Sequence, residues 1–257
     1  MAILSGALVG FTLGLIGGGG SIMATPLLLY VVGLPPHVAI GTGAMAVSVN
    51  SFVNLGGHAR AGHVRWRSAA LFASVGVAGA AAGSSLGKVF DGQRLLFLFA
   101  VLMIAVGTTM LRRGARSEAA MPAAEELLTA CVIGKIAAAA FLVGLLSGFF
   151  GIGGGFLIVP GLLFSTGMPM GFAIGSSLLA VGSFGLTTAV NYGLSGLIDW
   201  PVAAEYIAGG VAGGLLGTRL CHRLVPRKMV LNRVFAALVF SVAAYMLYRN
   251  FGALGSV

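Results

Sequence analysis

Gly10-Phe11-Thr12-Leu13-Gly14-Leu15-Ile16-Gly17-Gly18-Gly19-Gly20-Ser21-Ile22-Met23-Ala24-Thr25-Pro26 is an apolar run broken in its middle by glycines and closed by a proline. It has an echo at Gly144-Leu145-Leu146-Ser147-Gly148-Phe149-Phe150-Gly151-Ile152-Gly153-Gly154-Gly155-Phe156-Leu157-Ile158-Val159-Pro160. In a soluble protein such a run would be a loop or a phosphate cradle, but these flanks are too long and too apolar for either. The setting they point to is a bilayer.

Composition agrees. Of 257 residues, 58% are hydrophobic and 8% charged, with mean hydropathy +1.03, far from the roughly 25% charged residues of soluble domains. Many of the 42 glycines lie inside apolar runs, where small residues let membrane helices approach closely. The formal charge of +9 comes from Lys and Arg in short inter-helix loops, with no basic stripe and no interleaved aromatics. It therefore reads as membrane topology and argues against a nucleic-acid partner. Cys131 and Cys221 form no CxxC pair and are not equivalent in the repeat described next, so neither a redox motif nor a metal site is indicated. Residues 1–16 lack a basic n-region and an A-x-A cleavage site, and read as a first membrane segment.

A shift of 134 positions places Gly10 on Gly144, Gly14 on Gly148, Gly17 on Gly151, Gly20 on Gly154 and Pro26 on Pro160. The register continues without a gap through Gly33 and Gly167, Pro35 and Pro169, Ala39-Ile40-Gly41 and Ala173-Ile174-Gly175, Gly62 and Gly196, and Trp66 and Trp200. The chain is a tandem duplication. Residues 1–112 form a first transmembrane repeat, 113–134 a cytoplasmic linker and 135–257 a second repeat. Each repeat holds a glycine-broken segment (3–32 and 137–166) and three apolar segments (38–55, 68–87 and 94–111; 172–190, 201–220 and 229–247). A spanning helix needs about 20 apolar residues, which those three meet within boundary error.

Basic residues set orientation. The loop 56–67 carries Arg60, Arg65 and Arg67 and belongs in the cytoplasm, whereas its counterpart 192–200 carries no Lys or Arg and belongs outside. Arg219, Arg223, Arg227 and Lys228 place the last loop inside. Equivalent loops on opposite faces require an odd number of crossings per half, so the broken segment returns to its own side as a hairpin with the glycines at its turn. The arms 3–16 and 22–32 would be about 21 and 17 Å as helices, short of the roughly 30 Å core. The fold class expected is an all-α polytopic membrane protein of two tandem, inverted repeats, each a glycine-broken helical hairpin plus three transmembrane helices. The competing reading is one kinked span per broken segment, with parallel halves.

Irregular backbone at membrane depth must be buried in protein or line a cavity, and broken elements in two inverted halves point to a site between them. Helix N-termini just after the turns, near Ser21 and Gly155, would present N–H groups and partial positive charge to a small anion. The candidate substrate-binding residues are Gly17, Gly18, Gly19, Gly20, Ser21, Thr42 and Asn50 in the first half, and Gly151, Gly153, Gly154, Gly155, Ser176 and Ser177 in the second. The bland reading is helix glue for the hydroxyls and tight packing for the glycines. No basic residue lies deep in a span, so backbone dipoles and hydroxyls would hold the anion with modest affinity. Glu205 is the one acid that could sit in a span and carry a coupling proton, or simply a helix-start acid. Lys135 snorkels to the cytoplasmic face; His37, His58 and His63 read as loop residues without metal-ligand spacing. No cofactor is implied, and although the sequence is compatible with a homodimer, no feature demands one.

The duplicated GxxxGxxGxGGxxxxxP pattern of 10–26 and 144–160, with Gly33-x-Pro35-x3-Ala39-Ile40-Gly41-Thr42 and its echo Gly167-x-Pro169-x3-Ala173-Ile174-Gly175-Ser176, resembles the sulfite exporter TauE/SafE family of bacterial membrane permeases. The resemblance covers essentially the whole chain. It implies a multi-pass protein of the bacterial inner membrane that exports sulfite or a related small organosulfur or organic anion without an ATPase. The turns differ between halves, with Gly18 opposite Ile152 and Ser21 opposite Gly155, which implies unequal contributions. Three rivals stand beside it. A permease for a metal ion or another solute would want a convergent Asp, Glu, His or Cys cluster, a thiol-redox enzyme would want paired cysteines, and an assembly scaffold would have no need of broken segments.

Overall fold

A computed structural model describes residues 1–114, 130–151, 155–224, 237 and 240–244. These are almost entirely helical. In chain order they form α1 (Ala2–Ile16), a 3-10 segment (Gly17–Met23), α2 (Ala24–Leu27), a π-helical turn (Leu28–Val32), α3 (Pro36–Arg60), α4 (Trp66–Gly87) and α5 (Gly92–Gly114), then α6 (Ala130–Phe150), α7 (Gly155–Thr166), α8 (Met170–Gly193) and α9 (Trp200–Leu224). The centre of the expected linker, 115–129, and most of the expected last segment, 229–247, lie outside the described residues.

Local chemistry sets the boundaries. Glycine has no Cβ to clash at positive φ, and among the described residues the six positive-φ glycines fall in three pairs 134 residues apart: Gly17 and Gly151, Gly33 and Gly167, Gly62 and Gly196. The repeat is thus written in the backbone as well as in the sequence. Pro35 and Pro169 occupy the N-cap positions of α3 and α8. Asp199 caps α9 by accepting a hydrogen bond from the Val202 N–H at 3.1 Å, and Asp91 does the same for Arg94 at 3.0 Å, each satisfying one donor left open at a helix start. Trp66 and Trp200 stand exposed at equivalent helix starts, where amphipathic rings favour the membrane interface.

The two broken segments are built differently. After α1 the four glycines wind into a 3-10 coil, followed by the four-residue α2 and the π turn. Pro26 lacks an N–H to donate to the preceding turn, and after it the chain passes into the π-helical turn. The helix expected to begin near Ser21 begins instead at Ala24 and is four residues long, and Ser21 lies within the 3-10 coil. In the second half α7 does begin at Gly155 and carries Pro160 within it. The arms differ in length too. Four described helices are long and apolar enough to cross a membrane: 36–60, 66–87, 132–150 and 170–193. The third, 19 residues long, is α6, an arm of the second broken segment, so the short arms expected for the first half at 3–16 and 22–32 do not carry over to the second. α1, with 15 residues, reaches only about 22 Å.

Each broken segment packs on the opposite half. α1 lies along α9, where Gly6 meets Tyr206, Gly10 meets Gly210 and Gly14 meets Gly214. The numbers rise together, so the helices run parallel. α6 lies along α4 in the same way, with Gly144 on Gly76 and Gly148 on Ala80, and each of these contacts is a first-named contact shifted by one repeat. α3 and α8, themselves equivalent, run antiparallel: Gly41 meets Tyr192, Ser48 donates to the Gly182 carbonyl at 2.7 Å, and Gly175 meets His58. Small residues at these crossings admit backbone to backbone. A Cβ added to Gly10 would run into Gly210, and one added to Gly144 into Gly76, because van der Waals packing rather than the hydrophobic effect draws helices together in lipid. Aromatic pairs fill the remainder, Phe72 stacking on Phe184 at 6.3 Å and Phe99 meeting Phe150 and Phe156 at 5.6 Å.

Candidate functional site

The two broken segments meet at Gly18 and Gly155. A Cβ on either would run into the backbone of the other. The Gly18 N–H donates to Ser177 Oγ at 3.1 Å, while the Ser177 hydroxyl donates to the Ile174 carbonyl at 2.8 Å. Gly17, at φ +65, packs on Ile174 and Ser177, and Gly151, at φ +64, packs on the equivalent Ile40. Thus Gly17, Gly18, Gly155 and Ser177 form one junction, with backbone from both halves and a hydroxyl from the second.

Other candidates surround it. Ser21 donates to the Gly18 carbonyl at 2.9 Å and Thr12 to the Gly20 carbonyl at 3.3 Å, so these groups lock the 3-10 coil, of which Gly19 is also part. Gly20 lies against the backbone of Thr12 and Leu13. Gly153 and Gly154 lie outside the described residues. Thr42 and Ser176 are placed elsewhere: Thr42 Oγ1 accepts from the Asp199 N–H and Ser176 Oγ from the equivalent Arg65 N–H, each at 2.9 Å. Each hydroxyl anchors the start of a helix belonging to the other half. That occupation is structural, and spacing alone could not distinguish it from ligand binding. Glu205 is exposed on α9, turned away from the junction, since the residues of α9 that pack on α1 and α3 are Tyr206, Gly210, Gly214 and Thr218.

Asn50 stands apart from the junction, fully buried between α3 and Gly210 of α9, with neither amide atom hydrogen-bonded. Leaving a buried amide unpaired costs about 1–3 kcal/mol. Nearby along α3, Ser51 Oγ and Asn54 Nδ2 are likewise unpartnered, while Asn54 Oδ1 accepts from Thr218 at 3.2 Å. The equivalent of Asn50 in the second half is Phe184, which packs on Gly76. The carboxamide is therefore one-sided, whereas the equivalents of Asn54 and His58, Thr188 and Tyr192, also bury hydroxyls without a hydrogen-bond partner.

Two of the three histidines expected in loops are helical. His58 is not in a loop: α3 runs on to Arg60, and His58 is buried, its Nε2 3.1 Å from the Gly14 carbonyl. The signal available was the spacing Asn50, Asn54, His58, one residue per helical turn. His37 also lies in α3, in its first turn, whereas His63 is in the loop that follows. A second missed group is Lys88, whose Nζ donates to Asn191 Oδ1 at 2.7 Å and to Ser195 Oγ at 2.9 Å, tying the ends of α4 and α8.

The family model of the sulfite exporter TauE/SafE family matches residues 2–246, and the chain belongs to that family. It is 57% identical to a probable membrane transporter protein of Xylella fastidiosa strain Temecula1 over 258 residues, covering 99% of this chain and 97% of that protein. It is 26% identical to the probable membrane transporter protein YunE of Bacillus subtilis, covering 89% and 90%. A shorter match, 35% identical over 125 residues, covers 47% of this chain and 27% of the sulfite exporter TauE/SafE family protein 5 of Arabidopsis thaliana. No solved structure matches the chain. Membership and the apolar spans together support a membrane transporter.

Proposed function

We propose that this chain is a secondary transporter that exports sulfite, or a related small organosulfur or organic anion, across the bacterial inner membrane by alternating access at the junction of its broken segments. The observation that carries the reading is the contact of Gly18 with Gly155, closed by the Gly18 N–H bond to Ser177. Irregular backbone drawn from both halves meets there inside the protein, the arrangement in which transporters place their sites. Backbone N–H groups and hydroxyls, without a cationic side chain, suit a small oxyanion held weakly enough to be released.

The antiparallel pairing of the equivalent helices α3 and α8 supports two halves of opposite orientation. With Arg60, Arg65 and Arg67 in the cytoplasm, each half would close the path from its own side. Sulfite takes up a proton near neutral pH, so a proton gradient could drive its net movement without a dedicated carboxylate. Uptake of labelled sulfite into proteoliposomes holding the purified protein tests the reading, with and without an imposed pH gradient and beside sulfate, thiosulfate and sulfoacetate. Saturable sulfite flux that follows the gradient is expected. No flux of any of these anions from folded protein would overturn it in favour of a scaffold or a different solute.

A further inference from the structure

Among the described residues, His58 is the only Asp, Glu, Lys, Arg or His that is buried. It ends a stripe on α3, Asn50, Asn54 and His58, that packs on α9 at Gly210, Gly214 and Thr218 and on α1 at Gly14. A carbonyl can only accept, so the Nε2 that faces Gly14 carries the hydrogen, and the proton that comes and goes is at Nδ1. Gly14 lies three residues before Gly17, where the first broken segment turns. The stripe continues from His58 inward to the unpartnered carboxamide of Asn50 near the middle of α3, polar atoms that water or a passing ion would satisfy. One repeat on, the stripe becomes Phe184, Thr188 and Tyr192, which offers no imidazole.

The ionisable groups on the elements packed around it are these. α1 and the 3-10 coil carry none, and α8 carries only Tyr192, at the end far from Gly175. On α9 Arg219, exposed, and Cys221, buried, follow Thr218, with His222 and Arg223 next on the same helix; Arg60, exposed, and His63 follow on its own segment.

We infer that His58 is the proton-carrying residue that couples anion movement to the pH gradient, acting through its hydrogen bond to Gly14 on the broken segment. This rests on the transporter reading above. An imidazolium donates more strongly than a neutral ring, so protonation fastens α1 to α3 and deprotonation frees the 3-10 coil to part from the junction. The first half thereby becomes the proton-sensing half, and the second follows.

Two measurements test it. In His58→Gln the amide can still donate to Gly14 but cannot titrate. Sulfite counterflow, which needs no gradient, should stay within about twofold of the parent, while accumulation driven by a one-unit pH gradient, about tenfold for one coupled proton, should be lost. Gradient-driven accumulation equal to the parent's would overturn the inference. Independently of any substrate, hydrogen exchange of the parent's amides in residues 10–23 should slow as pH falls from about 8 to 5, after correction for the intrinsic pH dependence of exchange. A corrected profile flat in the parent, or unchanged in His58→Gln, would also overturn it. Should sulfite flux be absent while this profile holds, the sulfite reading fails and the proton-carrying role of His58 stands.

Discussion

Gly18 of the first broken segment and Gly155 of the second are packed backbone to backbone, each occupying the space the other's Cβ would need. At that point the two broken segments meet through backbone alone and can part without drawing an interlocked side chain from a core, which suits a moving gate, while aromatic pairs such as Phe72 on Phe184 hold the halves together elsewhere.

Adding one methyl group there should be costly. Gly155→Ala and Gly18→Ala are each expected to destabilise the protein by about 1–3 kcal/mol through overpacking, and to abolish sulfite flux before they abolish folding. Thermal unfolding in detergent, run beside the flux assay, checks both. Gly134→Ala, at a helical position with nothing within 4 Å of the added Cβ, is the control and should be neutral or stabilising by about 1 kcal/mol.

The exchanged helix pairs make a symmetric prediction. Gly10→Ala strikes Gly210 and Gly144→Ala strikes Gly76, so both should lower stability by similar amounts, about 1–3 kcal/mol. A large loss at one and none at the other would show that the two pairs do not bear equally on the fold.

Thr42 and Ser176 test whether an anchored hydroxyl also binds substrate. Thr42→Ala and Ser176→Ala each free one backbone N–H near a loop, and a loss of about 1 kcal/mol is expected, with an unchanged KM for sulfite. A rise in KM without loss of stability would return these residues to the anion site.

Ser177→Ala should behave differently, because the N–H it leaves unpaired belongs to Gly18 at the junction itself. The maximal flux is expected to fall by about tenfold or more, equivalent to about 1.4 kcal/mol or more, while Ser177→Thr, keeping the hydroxyl, should recover part of it. Equal flux in the parent and Ser177→Ala would remove Ser177 from the mechanism.

Glu205 is exposed on α9, and Glu205→Gln should leave pH-driven flux and thermal stability within error of the parent. Loss of coupling in folded Glu205→Gln would make this carboxylate, rather than protonation of the substrate or of His58, the proton carrier.

The duplication, the helical class and the positions of the breaks were legible in the chain itself. Gly17, Gly33 and Gly62 and their echoes tolerate positive φ where other residues do not, and the apolar runs between them, continuous rather than alternating, satisfy their backbone in lipid as helices. Family membership could be read from the same glycines. The tertiary structure alone decided which half each broken segment lies against, since α1 on α9 and α6 on α4 are contacts between residues far apart in sequence, chosen by the fit of glycine to backbone. It also decided which hydroxyls are already occupied. Thr42, Ser176 and Ser177 look alike along the chain, yet two anchor helix starts and one holds the junction. His58 shows the same limit most plainly: a polar residue near a helix end reads as loop until packing buries it against a carbonyl forty-four residues away. Local sequence sets conformation through sterics and periodicity, whereas the partner of a polar group is set by which surfaces the folded chain brings together.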